Sequence, residues 1–94
     1  MVMNTEKRES FRIALLRVME ANNTHYGLGL AALGHLAGSF GFAGVKSADV
    51  DKEMVYLEDK RYAIQVAKTI SPENRAWRIT AEGRDYLAEL NHED

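Results

Sequence analysis

The chain contains no cysteine, which excludes a disulfide framework, a thiolate nucleophile and a cysteine-based zinc site. It has a single proline, Pro72, among 94 residues. No linker, internal repeat or low-complexity tract divides it, so one domain over 1–94 is expected, with an ordered core over about 5–90. That length builds one hydrophobic core and not two. No apolar run approaches the ~20 residues that span a bilayer, and the opening MVMNTEKRES carries no apolar segment of the signal-peptide kind. No membrane association and a cytoplasmic location are the expectation. An excess of positive charge is missing too: 12 Lys and Arg stand against 14 Asp and Glu, for a net charge of −2. Proteins that live on polyanions draw much of their affinity from phosphate neutralisation, so any nucleic-acid surface here has to be a local one.

Catalytic and metal-binding constellations are equally scarce. Ser10, Ser39, Ser47 and Ser71 sit in no nucleophile elbow, there is no phosphate loop, and Gly27-Leu28-Gly29 lacks the dinucleotide-binding spacing. His25, His35 and His92 form no pair at i, i+3 or i+4, and no carboxylate cluster joins them at ligand spacing. The chain is therefore read as a non-enzyme with no cofactor and no metal. His35, in an otherwise apolar segment, is read as a hydrogen-bonded structural or interface residue.

What is present is the composition of an ordinary globular protein, 46% hydrophobic and 28% charged. Phe11, Ala14, Leu15, Val18 and Met19 recur at helical spacing, with Ile13 and Leu16 widening the face. They predict a helix over about Thr5–Ala21, with Thr5 as N-cap and Asn22-Asn23-Thr24 as its end. His25 to Leu28 reads as a short strand. Leu30, Leu33, Leu36 and Ala37 mark a second helix, rich in small residues, and Ser39 to Lys46 a loop with Phe40 and Phe42 plugging the core. Ser47 reads as the next N-cap, with Asp49 and Asp51 in the first turn favouring the helix dipole. Val50, Met54 and Leu57 define the inward stripe, which Val55 and Tyr62 extend. Ile64, Val66 and Ile70 alternate with Gln65 and Lys68 as a half-buried strand. Ser71 to Asn74 is a turn, and Trp77 and Ile79 face inward from a returning strand. Thr80 caps a last helix with Tyr86, Leu87 and Leu90 inward.

This order resembles the winged helix-turn-helix domain of many bacterial and phage regulators, in the broad class that includes the MarR-like and ArsR-like families. The run Val50-Asp51-Lys52-Glu53-Met54-Val55-Tyr56-Leu57-Glu58-Asp59-Lys60-Arg61-Tyr62 is similar to their third helix. The run Trp77-Arg78-Ile79-Thr80-Ala81-Glu82-Gly83-Arg84-Asp85-Tyr86-Leu87 resembles their closing strand and last helix, with a capping threonine and a glycine three residues later. The resemblance covers roughly residues 9–90. It implies a mainly α (α+β) fold: a three-helix core, a two- to three-stranded β-wing and a C-terminal helix.

The function it implies is a small DNA-binding transcriptional regulator of the phage-associated kind. The helix over about 47–61 would enter the major groove and the wing over about 63–79 would lie on the backbone or in the minor groove. Lys52, Tyr56 and Lys60 would touch double-stranded DNA from the helix, and Lys68, Arg75 and Arg78 from the wing. Two features depart from that pattern. The connection Ser39–Lys46 is longer than the ~3–4 residues of a compact helix-turn-helix turn. The outward face of the third helix, read as Asp49, Asp51, Lys52, Glu53, Tyr56, Asp59 and Lys60, is largely acidic, where DNA-reading helices present cationic and amide side chains.

An alternative from another class stays open: a protein-interaction module that uses this acidic face to engage a protein partner. Lys7, Arg8, Arg12 and Arg17 on the first helix read either as phosphate contacts or as a solvated face. The broad apolar face of the first helix, with the small-residue second helix, points to a homodimer formed through the first or last helix.

Overall fold

The protein is described by a computed structural model that covers residues 4–24, 26–66 and 75–91. Within these, α1 (Thr5–Ala21), β1 (Leu28–Gly29), α2 (Leu30–Ala37), a 3₁₀ turn (Gly38–Phe40), α3 (Ser47–Asp59), β2 (Ala63–Gln65), β3 (Ala76–Ile79) and α4 (Ala81–Asn91) follow one another. The fold is mainly helical with a small antiparallel sheet in the order β1-β3-β2. No helix among the described residues is long and apolar enough to cross a membrane.

The apolar spacing of α1 places Phe11, Ala14, Leu15, Leu16, Val18 and Met19 in the core. They meet Leu33 and Ala37 from α2, Val50, Met54 and Leu57 from α3, Trp77 and Ile79 from β3, and Leu87 from α4. The fold therefore covers most of the apolar face of α1 within one chain, with Ile13 at its half-buried edge. The capping expectations change at two helices. Asn4 rather than Thr5 caps α1, its Oδ1 accepting from the Lys7 N–H at 2.8 Å. Lys46 holds the cap position of α3 without a side-chain bond, and Ser47 is already helical.

The short strand expected over His25–Leu28 is overturned in all but its last residue, since β1 is Leu28–Gly29; His25 lies outside the described residues. Phe42 packs on Phe11 with ring centroids 5.1 Å apart, as a core plug should. Phe40 and Val55 do not; both are exposed. Gly41 is the reason for Phe40: at φ +93° it reverses the chain, and the Phe42 N–H bonds back to the Ala37 carbonyl at 3.2 Å. This Schellman closure turns Phe42 inward past the 3₁₀ turn.

The end of α3 uses the same device with a less suitable residue. The Tyr62 N–H bonds to the Leu57 carbonyl at 3.0 Å and the Arg61 N–H to the Glu58 carbonyl at 2.9 Å, while Arg61 sits at φ +67°. A side chain in that region costs about 1–2 kcal/mol. Arg61→Gly is therefore expected to stabilise the protein by about 1 kcal/mol. A urea unfolding midpoint that did not rise would show that the exposed arginine side chain makes up the difference.

The inward register of β2 is opposite to the expected one. Ala63 is buried and Ile64 is exposed, because Ala63 pairs with the inward Ile79, and Ile64 with Arg78, across the antiparallel ladder. Directly paired residues share a face of a sheet, so the longer strand β3, anchored by Trp77, dictates the side that β2 presents. Thr80 joins the sheet to α4. Its hydroxyl donates to the Arg61 carbonyl at 2.6 Å and accepts from the Gly83 N–H at 3.0 Å, while its own N–H bonds to the Tyr62 carbonyl at 3.0 Å. One residue thus caps α4 and clamps the chain that leaves α3.

Candidate nucleic-acid interface

The four sides of α3 have four different surroundings. Val50, Glu53, Met54 and Leu57 face the interior. Ala48, Lys52, Val55 and Asp59, spaced by four, three and four residues, form the solvent stripe, and all are exposed. On one flank, Asp51 and Glu58 turn toward the sheet, where Arg75 bonds to Asp51 and the Gln65 amide to Glu58 at 3.1 Å. On the other flank, Tyr56 and Lys60 turn toward α1.

The acidic outer face expected of this helix is corrected at Glu53. Its side chain is only 5% exposed, and its two carboxylate oxygens accept from the Arg12 Nε at 2.6 Å and the Arg8 Nε at 3.2 Å. An ionised carboxylate is buried only when paired and hydrogen-bonded, and two arginines one helical turn apart on α1 meet that need. Arg8 and Arg12 are thus neither a solvated face nor free phosphate contacts, since they tie α1 to α3. With Asp51 held by Arg75, two of the four acids assigned to the outer face are neutralised within the chain. Asp59 remains exposed and Asp49 half-buried.

The six residues proposed to contact DNA are not gathered in one place. Lys52 is on the solvent stripe. Tyr56 lies under the Arg12 guanidinium, whose carbon is 3.6 Å from the ring centroid, with the Lys60 ammonium 6.0 Å from the same ring. Arg75 reaches Asp51, and its guanidinium lies 5.2 Å from the centroid of Trp77. Trp77 is fully buried, and its indole N–H has no hydrogen-bond partner among the described residues. Arg78 belongs elsewhere. Strand alternation puts it beside Ile64 on the opposite sheet face, in a groove with Asn23, Thr24 and Tyr26. Lys68 and the turn Ser71–Asn74 lie outside the described residues.

Tyr56 and Lys60 also line a cleft of about 160 Å³ between α1, α3 and α4. Leu16 and Leu57 form its apolar base, Arg12 and Glu9 its α1 side, and Tyr62 and Tyr86 its far wall. The two tyrosines stack with centroids 4.7 Å apart and ring planes 14° from parallel. Burial, followed by the neighbouring Tyr62 and Glu9, pushes the Tyr86 phenol above its ordinary value of 10.0. Among the described residues no group of three or more His, Asp or Glu is placed to hold a metal ion.

Sequence reasoning missed the Glu53–Arg8–Arg12 clamp, although a signal was there. Glu53 stands three residues after Val50 and four before Leu57, inside the inward arc of α3, and Arg8 and Arg12 are four apart on α1. The Asp51–Arg75 pair had no such signal, because it depends on how the sheet docks on α3. No protein-family model, curated protein or solved structure matches the chain.

Proposed function

We propose that the chain is a winged-helix domain that binds double-stranded DNA, with α3 in the major groove and the β2–β3 ribbon as the wing, and that it acts as a small transcriptional regulator. One observation carries the reading. The solvent stripe of α3 is bracketed by cationic side chains, Arg75 on the sheet flank and Lys60 on the α1 flank. A helix lodged in a groove meets base edges along its centre and phosphates along its sides. On the stripe, Lys52 would donate to a guanine edge, Asp59 would accept from a cytosine amino group and Val55 would touch a thymine methyl. Tyr56 would stand at the border of stripe and flank.

Lys60 and Arg75 supply the phosphate contacts, with Lys52 available to either edge or backbone. Two neutralised phosphates per copy give a slope of about −1.8 in log affinity against log salt, or roughly a 12-fold loss between about 50 and 200 mM salt. So few contacts favour a homodimer on a two-fold site, which would double the slope. Fluorescence anisotropy with a mixed-sequence duplex measures it directly. Arg75→Gln is expected to reduce the slope by about 0.9 per copy, and an unchanged slope would remove the wing from the interface.

A second reading has one observation in its favour. Val55, 40% exposed, stands at the middle of the stripe between single charges of opposite sign. A neutral stripe with an apolar centre also suits the groove of a protein partner. Absence of duplex binding at about 50 mM salt, where phosphate contacts are strongest, would select this reading.

A further inference from the structure

We infer that Asp51 stands in for a DNA phosphate in the free protein, holding Arg75 against α3 and releasing it when α3 enters the groove; this rests on the DNA-binding reading. The basis is a contrast between the two arginine–carboxylate systems of α3. Glu53 is 5% exposed and shared by two arginines. Freeing either arginine would leave a buried carboxylate under-compensated, a cost one phosphate contact does not return. The Asp51 and Arg75 side chains are 32% and 36% exposed. A pair so open to water contributes little, at most about fivefold in an equilibrium constant, so its exchange is cheap.

The geometry fits an exchange as well. Trp77, fully buried, anchors β3 two residues from Arg75, and its ring lies 5.2 Å from the guanidinium. The anchored strand thereby fixes the backbone from which Arg75 extends, and the exchange needs only its half-exposed side chain to turn from Asp51 to a phosphate. A phosphodiester offers the guanidinium two oxygens at the spacing of a carboxylate and with the same single charge. Of the other charges nearby, Glu58 is taken by Gln65, and Lys52, the next residue after Asp51, stands on the solvent stripe. Asp51 would thus orient Arg75 before DNA arrives and penalise loose encounters in which the wing does not reach a phosphate.

A double-mutant cycle tests the exchange, using the whole chain, a mixed-sequence duplex and about 100 mM salt, a level at which phosphate contacts still register. Asp51→Asn is expected to tighten binding by about two- to fivefold, with the salt slope unchanged because Arg75 meets phosphate in both proteins. Removing any acid near DNA gives some gain, and Asp59→Asn measures that background. In an Arg75→Gln protein, the Asp51→Asn gain should fall to the background level. Equal gains in both backgrounds, with wild type binding DNA, would overturn the exchange alone. Absence of binding by every variant would overturn the DNA reading and the exchange with it. In the free protein, Asp51→Asn should shift the Arg75 guanidinium resonance in the NMR spectrum, and an unmoved resonance would overturn the pair.

Discussion

Replacing Gly83 with alanine is expected to destabilise the protein by about 3 kcal/mol, at the upper end for one added methyl group. In an exposed helix the same change stabilises by about 1 kcal/mol through propensity, so even the sign tests the packing. Gly83 is in the first turn of α4, buried against the end of α3. A Cβ there would stand 2.3 Å from the Tyr62 carbonyl oxygen and 2.7 Å from Cγ1 of Ile79. The Tyr62 oxygen cannot retreat easily, because it accepts from the Thr80 N–H at 3.0 Å. Moving α4 away instead would strain the Thr80 cap on the Gly83 N–H. A urea midpoint at or above that of wild type would show that α4 does not approach Tyr62 so closely.

Arg12→Ala is expected to cost about 3 kcal/mol and Arg8→Ala about 1 kcal/mol, although both bond to the same carboxylate. The Arg12 side chain is 17% exposed and that of Arg8 38%, and Arg12 makes the shorter contact, 2.6 Å against 3.2 Å. Losing Arg12 leaves Glu53 buried with the weaker partner, and strips Tyr56 of the guanidinium stacked on its face. For a domain of this size the larger loss lowers the melting temperature by roughly 12–24 °C. Thermal unfolding of the two variants decides the matter, since equal losses would mean that the arginines share Glu53 evenly. Glu53→Gln keeps the volume but removes the charge, and should fall between the two.

Much of the fold was legible because it rests on short-range rules. The apolar spacing of α1 predicted its span, Thr5–Ala21, from one register of side chains. Thr80 marked the start of α4 as its cap. Trp77 and Ile79 showed the inward side of β3. Errors of one residue arose where two neighbours had similar chemistry. Asn4 and Thr5 both make caps, and only the observed acceptor separates them. In β2, three residues were too few for alternation to be read, and the larger Ile64 looked the better core residue. Its partner strand decided otherwise.

The candidate interface was legible only as an inventory of charges. Lys52, Tyr56 and Lys60 were placed on one helix by periodicity, but they divide between the solvent stripe and the α1 flank. Arg75 and Arg78 were grouped by nearness in sequence, and strand alternation puts them on opposite sheet faces. The apparent acidity of α3 was a property of its composition. Glu53 meets partners 41 and 45 residues away, and Asp51 one 24 residues away. Helix spans and the mainly helical class of the fold follow from the sequence itself, because hydrogen bonds and apolar periodicity act over a turn or two. Which charges pair and which face of α3 meets solvent were decided by tertiary structure, because electrostatic pairing depends on distance and burial in space, and neither is ordered along the chain.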